Sequence, residues 1–424
     1  MRTSQPRVFD AAVVLFTVAL FFTNIVIYLS LPGVYRLPPY LFILMFFVLL
    51  LPLIALKRVN YQFVRMPIFW WFMFFMLITT TWMVFMRHGD VHIYRLRIQF
   101  FTLALGLLLL LSSNSDNILL IRKLIVFAVL LAVINNLLNF MYPHMFSSTP
   151  QYLRTGRSSG FYANPNEAGA AIIYGMIVCF NVVPKRLRYP FLASTFAGVL
   201  MTFSRGAILG WFIVIVLMLW KGNLRFQKTV LMLIGFVVAA VFVWPLMNTF
   251  LINHQAGYFD VYNRVQWFVS GGQTVDFSEA QRLLVLKTGW NLFLMHPWIG
   301  NGIGATYTWS LPVSTHNMYL LFMTDYGIIG LPLFITFAIV PIIGAHGEAK
   351  IIAIPFAIFI LYWGFFDHNM LDNFYSVFTV IVMASMTRQS VVMHRKRNTA
   401  KYKTSINTQA ISASDCGDIS HQTG

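Results

Sequence analysis

His316 opens the run STHNMYLLFMTDYGIIG (Ser314–Gly330), at the mouth of an apolar stretch, with Asn317 beside it and Asp325 partway in. An imidazole with an ordinary pKa of about 6.5 accepts protons at neutral pH and can activate a hydroxyl nucleophile; at a membrane boundary it can also serve as a plain interfacial polar group. In an uninterrupted helix Asp325 faces away from His316 and lies roughly 13 Å deeper, so no direct dyad is expected. Asp325 is instead expected to pair with a cation from another helix or to hold the bundle together, and the following GIIG permits close packing.

Arginines bring a second chemistry. The guanidinium is a rigid fork of donors matched to phosphate or carboxylate oxygens. Arg205 lies in MTFSRGAILG, a short interruption between two apolar runs, and so at the tip of a tight helical hairpin, where a charge lines a wet cavity, finds a partner or snorkels. Arg157 precedes Asn164, Pro165 and Glu167, a helix start with local capping signals. That start can accept a phosphate, although Glu167 opposes an anion there. Arg282 falls in the first turn of a helix read from SEAQRLLVLKTGWNLFLMHPWIGNGIG, with a capping box from Ser278 to Gln281 and a stop at Pro297 and the glycines. A cation at that positive helix end is unfavourable unless an anion is present. GNGIG lacks the preceding strand of a nucleotide fold and reads as a flexible turn.

The rest of the chain must position these groups. With 58% hydrophobic and 10% charged residues in 424, the polar covering is too small for a soluble domain of this length, and an integral membrane protein follows. At roughly 20 apolar residues per span, about twelve helices are expected. The long outer loop, residues 251–315, carries an interfacial helix, residues 1–387 form one membrane domain, and 388–424 form a basic cytoplasmic tail without periodicity, expected to be disordered. The first apolar run reads as a retained helix. With the N-terminus inside, most Lys and Arg fall on cytoplasmic segments, so the net charge of +17 is largely a topology signal and a preference for anionic lipid; no nucleic-acid module is present. Left outside are Arg36, Arg87, Arg95, Arg97, Arg154, Arg157, Arg205, Arg264, Arg282 and Lys287, all but one arginine.

Cys179 lies in a span and Cys416 in the tail, so no disulfide is expected. The outer acids are scattered, without HExxH or a cysteine cluster, and no metal or other cofactor is expected. DHNMLD, Asp367 to Asp372, is the one acidic, His-bearing outer turn kept as a reserve site. A Gly-x-Ser-x-Gly elbow is lacking, which argues against covalent serine catalysis.

RSSGFYANPNEAGA, TFSRGAILG, HPWIGNGIG and STHNMYLLFMTDYGIIG, in this order and with a long loop before the last, resemble the bacterial O-antigen ligase and O-antigen polymerase superfamily. The resemblance covers roughly Arg157 to Gly330. It implies an all-α, GT-C-like glycosyltransferase of the bacterial inner membrane, with both termini cytoplasmic and the active site facing the periplasm. Such an enzyme transfers glycan from undecaprenyl diphosphate without a metal and with inversion. By resemblance Arg205 and Arg282 are the essential arginines, Arg157 the arginine of the NPN motif and His316 the general base. The family often has Glu where this chain has Asp325, which speaks against direct catalysis by that acid. Arg157, Asn164, Asn166, Asn317 and Arg264 form the candidate substrate-binding set.

The expected reaction is that of an O-antigen ligase, passing O-antigen to a lipid A-core sugar, with those two glycans and membrane lipids as partners. A polymerase extending carrier-linked repeat units uses nearly the same parts. A flippase for lipid-linked oligosaccharide would carry charges along a path through the bilayer and show repeated halves, neither of which is evident.

Overall fold

The computed structural model describes residues 8–31, 34–56, 61–85, 89–142, 157–162, 164–253, 258, 261–263, 265–266, 277–309, 311 and 314–417. Its regular elements are helical. α1 (Val8–Thr17) passes through a π turn into α2 (Ile25–Ser30). α3 (Pro39–Ala55), α4 (Pro67–Phe85), α5 (Val91–Ser113) and α6 (Ser115–Met141) follow. Next come α7 (Pro165–Cys179), α8 (Arg188–Met201), α9 (Arg205–Trp220), α10 (Phe226–Asn253) and α11 (Phe277–Met295). α12 (Met318–Tyr326) and α13 (Gly330–Ile339) are two halves of one apolar stretch, and α14 (Gly347–Trp363) and α15 (Phe374–Gly417) come last.

Each apolar stretch read from the sequence coincides with a helix or a pair of helices. Among the described residues six are long and apolar enough to cross a membrane by length and composition, including Pro67–Phe85, Val91–Ser113 and Phe226–Phe250. The protein is thus an all-helical, polytopic membrane protein. α7 is the central helix: every residue from Glu167 to Cys179 is buried, and a Cβ at Gly175 would come within 2.4 Å of Val129, so glycine lets α6 close on it. A helix apolar on all sides belongs inside the bundle or in lipid. α10 takes the second solution, exposing Phe242, Leu246 and Val241.

The bundle has two chemically distinct ends. At one, the N-termini of α5, α7, α9 and α12 are capped by Asp90, Asn164, Ser204 and Asn317. At the other, Arg122 donates from Nε to Val178 O at 2.9 Å and from Nη1 to the Glu348 carboxylate at 3.4 Å. All the site residues discussed below gather at the first end.

Three sequence expectations change. Arg97, expected in an outer segment, lies inside α5, only 3% exposed, because Asp90 starts that helix earlier than the hydropathy of Arg95 and Arg97 suggests. GNGIG is docked rather than loose: Asn301 N donates to Thr324 O at 2.7 Å, Ile328 N to Pro297 O at 2.7 Å and Trp82 Nε1 to Ile299 O at 2.6 Å. Residues 388–417, expected to lack structure, continue α15, and no Gly or Pro interrupts them before Gly417.

Candidate active site

Two helix N-termini open onto one cleft. α7 starts with Asn164 Oδ1 accepting from Asn166 N at 2.8 Å and with Pro165 in the first helical position, where its missing N–H costs nothing. α9 starts after the hairpin at Thr202–Ser204, with Ser204 Oγ accepting from Ala207 N at 3.3 Å, which places Arg205 in the first turn. Asn166, Ser204, Arg205, Gly206, Arg282, Trp363 and Phe366 line the cleft, and no acid stands among these described residues. Both helix ends aim partial positive charge at a space already carrying two guanidiniums. Bringing the cations together favours an anion with several oxygens.

Arg157 stands behind the wall. Its Nε donates to Thr202 O at 3.1 Å and its Nη2 to Asn166 Oδ1 at 2.9 Å, so it fixes Asn166 and the hairpin at once. Glu167, the acid expected to oppose an anion here, is buried and turned toward Asn373 and Asp367 instead of into the cleft.

His316 arrives from the loop before α12. Its φ of 49° is left-handed without being glycine, and Phe203, ahead of Arg205, has φ 48°. Such a residue costs about 1–3 kcal/mol and persists only where the surroundings hold it. Here they do: Met318 N donates to Gly364 O at 2.7 Å, and Thr202 Oγ1 accepts from Ser204 N at 3.2 Å. The His316 imidazole is pushed down to about 4, first by burial, then by His368 and Arg282, with Asp367 acting in the opposite sense. It is therefore unprotonated at neutral pH, as a base must be, and Arg282 lies within electrostatic reach.

Around His316 lies the turn between α14 and α15. Asp367 accepts from Trp363 Nε1 at 2.9 Å and from Asn369 N at 2.9 Å, and burial raises its carboxyl. Tyr307 donates from its hydroxyl to Asn369 Oδ1 at 2.7 Å, tying the loop after α11 to this turn. Asp372 is raised to about 7 by burial. Among the described residues no group of three or more His, Cys, Asp or Glu is placed to hold a metal ion.

Asp325 belongs to a separate site. Its Oδ2 meets Arg97 Nη2 at 2.8 Å, with the two side chains 0% and 2% exposed, and its Oδ1 accepts from Gly304 N at 3.1 Å. Arg97 also donates to the Tyr326 hydroxyl. The cation expected from another helix is thus Arg97 of α5. Gly300 (φ 77°) and Gly327 (φ 68°) let the docked turn meet the break between α12 and α13, since a Cβ on Gly327 would sit 2.4 Å from Trp298 O.

Of the residues singled out in the sequence, Arg205, Arg282 and Asn166 line one cleft, Arg157 is bonded to Asn166, and His316 neighbours Arg282. Asn164 and Asn317 use their side-chain oxygens as helix caps, Asn317 accepting from Leu320 N at 3.1 Å. Arg264 lies outside the described residues, as do Arg87 and Arg154, and the side chain of Ser278 is likewise outside them. Trp363 and Phe366 were not anticipated. They come from a helix end far along the chain, and an aromatic at a span boundary carries no mark of the cleft it will line.

Residues 190–335 match a family model described as O-antigen ligase, a segment that contains Arg205, Arg282, His316 and Asp325 and leaves out Arg157 and the turn at Asp367. The match upholds the resemblance to the O-antigen ligase and polymerase superfamily. No curated protein and no solved structure matches the chain.

Proposed function

We propose that this protein is an O-antigen ligase, transferring O-antigen polysaccharide from undecaprenyl diphosphate to a sugar of the lipid A-core oligosaccharide. The observation that carries the reading is the cleft in which two helix N-termini, Arg205 and Arg282 converge, with a largely buried imidazole, His316, within electrostatic reach of Arg282.

In the reaction the bond between the glycan's anomeric carbon and the phosphate oxygen breaks, and a bond from an acceptor hydroxyl oxygen to that carbon forms. The departing diphosphate gains negative charge, which Arg205 and Arg282 stabilise more in the transition state than in the bound donor. The hydroxyl proton passes to His316, whose lowered proton affinity lets it hand the proton on afterwards. Attack from the face opposite the diphosphate inverts the anomeric centre. Arg157 acts through Asn166 by fixing the cleft wall. No metal takes part in this scheme, in which the arginines carry the charge.

The apolar helices of the bundle span the bacterial inner membrane about twelve times in a GT-C-like arrangement, with both termini cytoplasmic and the cleft at the periplasmic end. α11, with Leu283, Leu284, Leu286 and Met295 exposed, lies at the outer interface and covers the diphosphate headgroup. The test supplies purified protein with carrier-linked glycan and lipid A-core. Glycan-capped lipid A-core supports a ligase. Longer carrier-linked chains with uncapped core would assign a polymerase, and movement of the carrier across vesicles without a new glycosidic bond would assign a flippase.

A further inference from the structure

The turn Asp367–Asp372 surrounds the base without being part of the diphosphate cleft. We propose that His368 is the positioning residue of His316: packed edge-on against that imidazole, it fixes the ring and keeps it from holding a proton between turnovers. This rests on the function proposed above.

The two rings meet at 4.6 Å between centroids with an interplanar angle of 88°. Tyr307 packs on the same ring of His368, 6.1 Å between centroids, and its hydroxyl anchors Asn369. The turn is tied down again by Asp372 N donating to Asn369 O at 2.8 Å and by the two hydrogen bonds to Asp367. His368 is therefore a fixed wall for His316, whose own backbone is held in the left-handed region. His368 Nδ1 is buried and meets no hydrogen-bond partner among the described residues.

Among the described residues, the charged and titratable groups acting on His316 are His368 and Asp367 from this turn and Arg282 from α11. Two of the three are cationic or become so. Adjacent imidazoles cannot both be protonated without strong repulsion, and burial pushes His368 itself down to about 4. A proton taken by His316 is thus held weakly, through burial first and then through the neighbouring ring and Arg282.

The experiment is the pH dependence of transfer from carrier-linked glycan to lipid A-core for wild type, His368→Phe and His368→Asn. Both variants should lower kcat by about ten- to a hundredfold and leave KM for the donor within about twofold. Loss of the neighbouring imidazole should move the acidic limb of kcat upward by on the order of one pH unit. A fall in kcat with an unmoved limb would make His368 merely structural and overturn the inference, as would a wild-type profile. Should neither variant insert, 15N-histidine titration of the wild type decides, with the His316→Ala spectrum identifying the signal. Coupled titration of the His316 and His368 signals, both below about pH 5, supports the inference, and independent titration of the two rings, or titration of His316 at the ordinary value of about 6.5, overturns it. Activity surviving in His316→Ala would instead remove the proposed base and with it the function read from the site, whatever His368 does.

Discussion

Arg97 and Arg205 are the same side chain in opposite settings. Arg97 is sealed in the bundle, with a carboxylate at 2.8 Å and the Tyr326 ring 5.4 Å from its guanidinium carbon. Arg205 is half-buried in the first turn of α9 at a cleft that it shares with a second guanidinium, Arg282. The first arginine has its counter-charge built in and joins α5 to α12. The second stands where two helix ends and a like charge gather, a setting suited to an anion with several oxygens. A charge met by a buried carboxylate reads as architecture, and one placed on a cleft beside a like charge and two helix ends reads as function.

The contrast can be broken from either side. The largest effect is expected at the matched site: Asp325→Ala leaves Arg97 buried without its carboxylate and should destabilise the protein by about 3–5 kcal/mol. Thermal unfolding in detergent checks this, and an unchanged midpoint would mean that the pair does not hold the bundle. Arg282→Ala should do the reverse. It should insert and melt like wild type yet lose about 10²–10³-fold in kcat, as when one group stabilising a developing oxyanion is removed. A melting shift as large as that of Asp325→Ala, with activity intact, would merge the two classes.

Smaller changes sharpen the comparison. Arg205→Lys keeps the charge and loses the fork, so about a tenfold loss in kcat/KM measured with carrier-linked glycan is expected if oxygens are gripped in pairs. Equal activity would reduce Arg205 to a point charge. The smallest effect belongs to Asn166→Ala, which removes the acceptor for Arg157 while leaving Arg205 and Arg282 in place. A loss of about 1 kcal/mol in transition-state binding, read from kcat/KM, matches one neutral side-chain acceptor.

Much of this was legible in the chain. Long apolar runs marked the helices, because a backbone in lipid must bond to itself. Asn164 and Pro165 marked the start of α7, and the short gap at Phe203–Arg205 marked the hairpin, since capping depends on side chains within a few positions. Asp325 called for a cation on another helix, but nothing local identified Arg97, 228 positions away. His368 stood out only as part of an unusual turn; its contact with His316 depends on how α14 ends against the loop before α12. The docking of GNGIG was likewise hidden, because a run of glycines reads as freedom until another backbone occupies the space where its Cβ atoms would be.

The sequence alone determined that this protein lies in a membrane, where its helices run, and which side chains are costly enough in apolar surroundings to need a reason. Only the tertiary structure decided which arginine meets a buried carboxylate and which lines a cleft, and which ring packs on His316. Hydropathy and capping act over a few residues and are written in consecutive positions. Electrostatic matching and ring packing act across space, between segments whose proximity exists only after the helices have assembled.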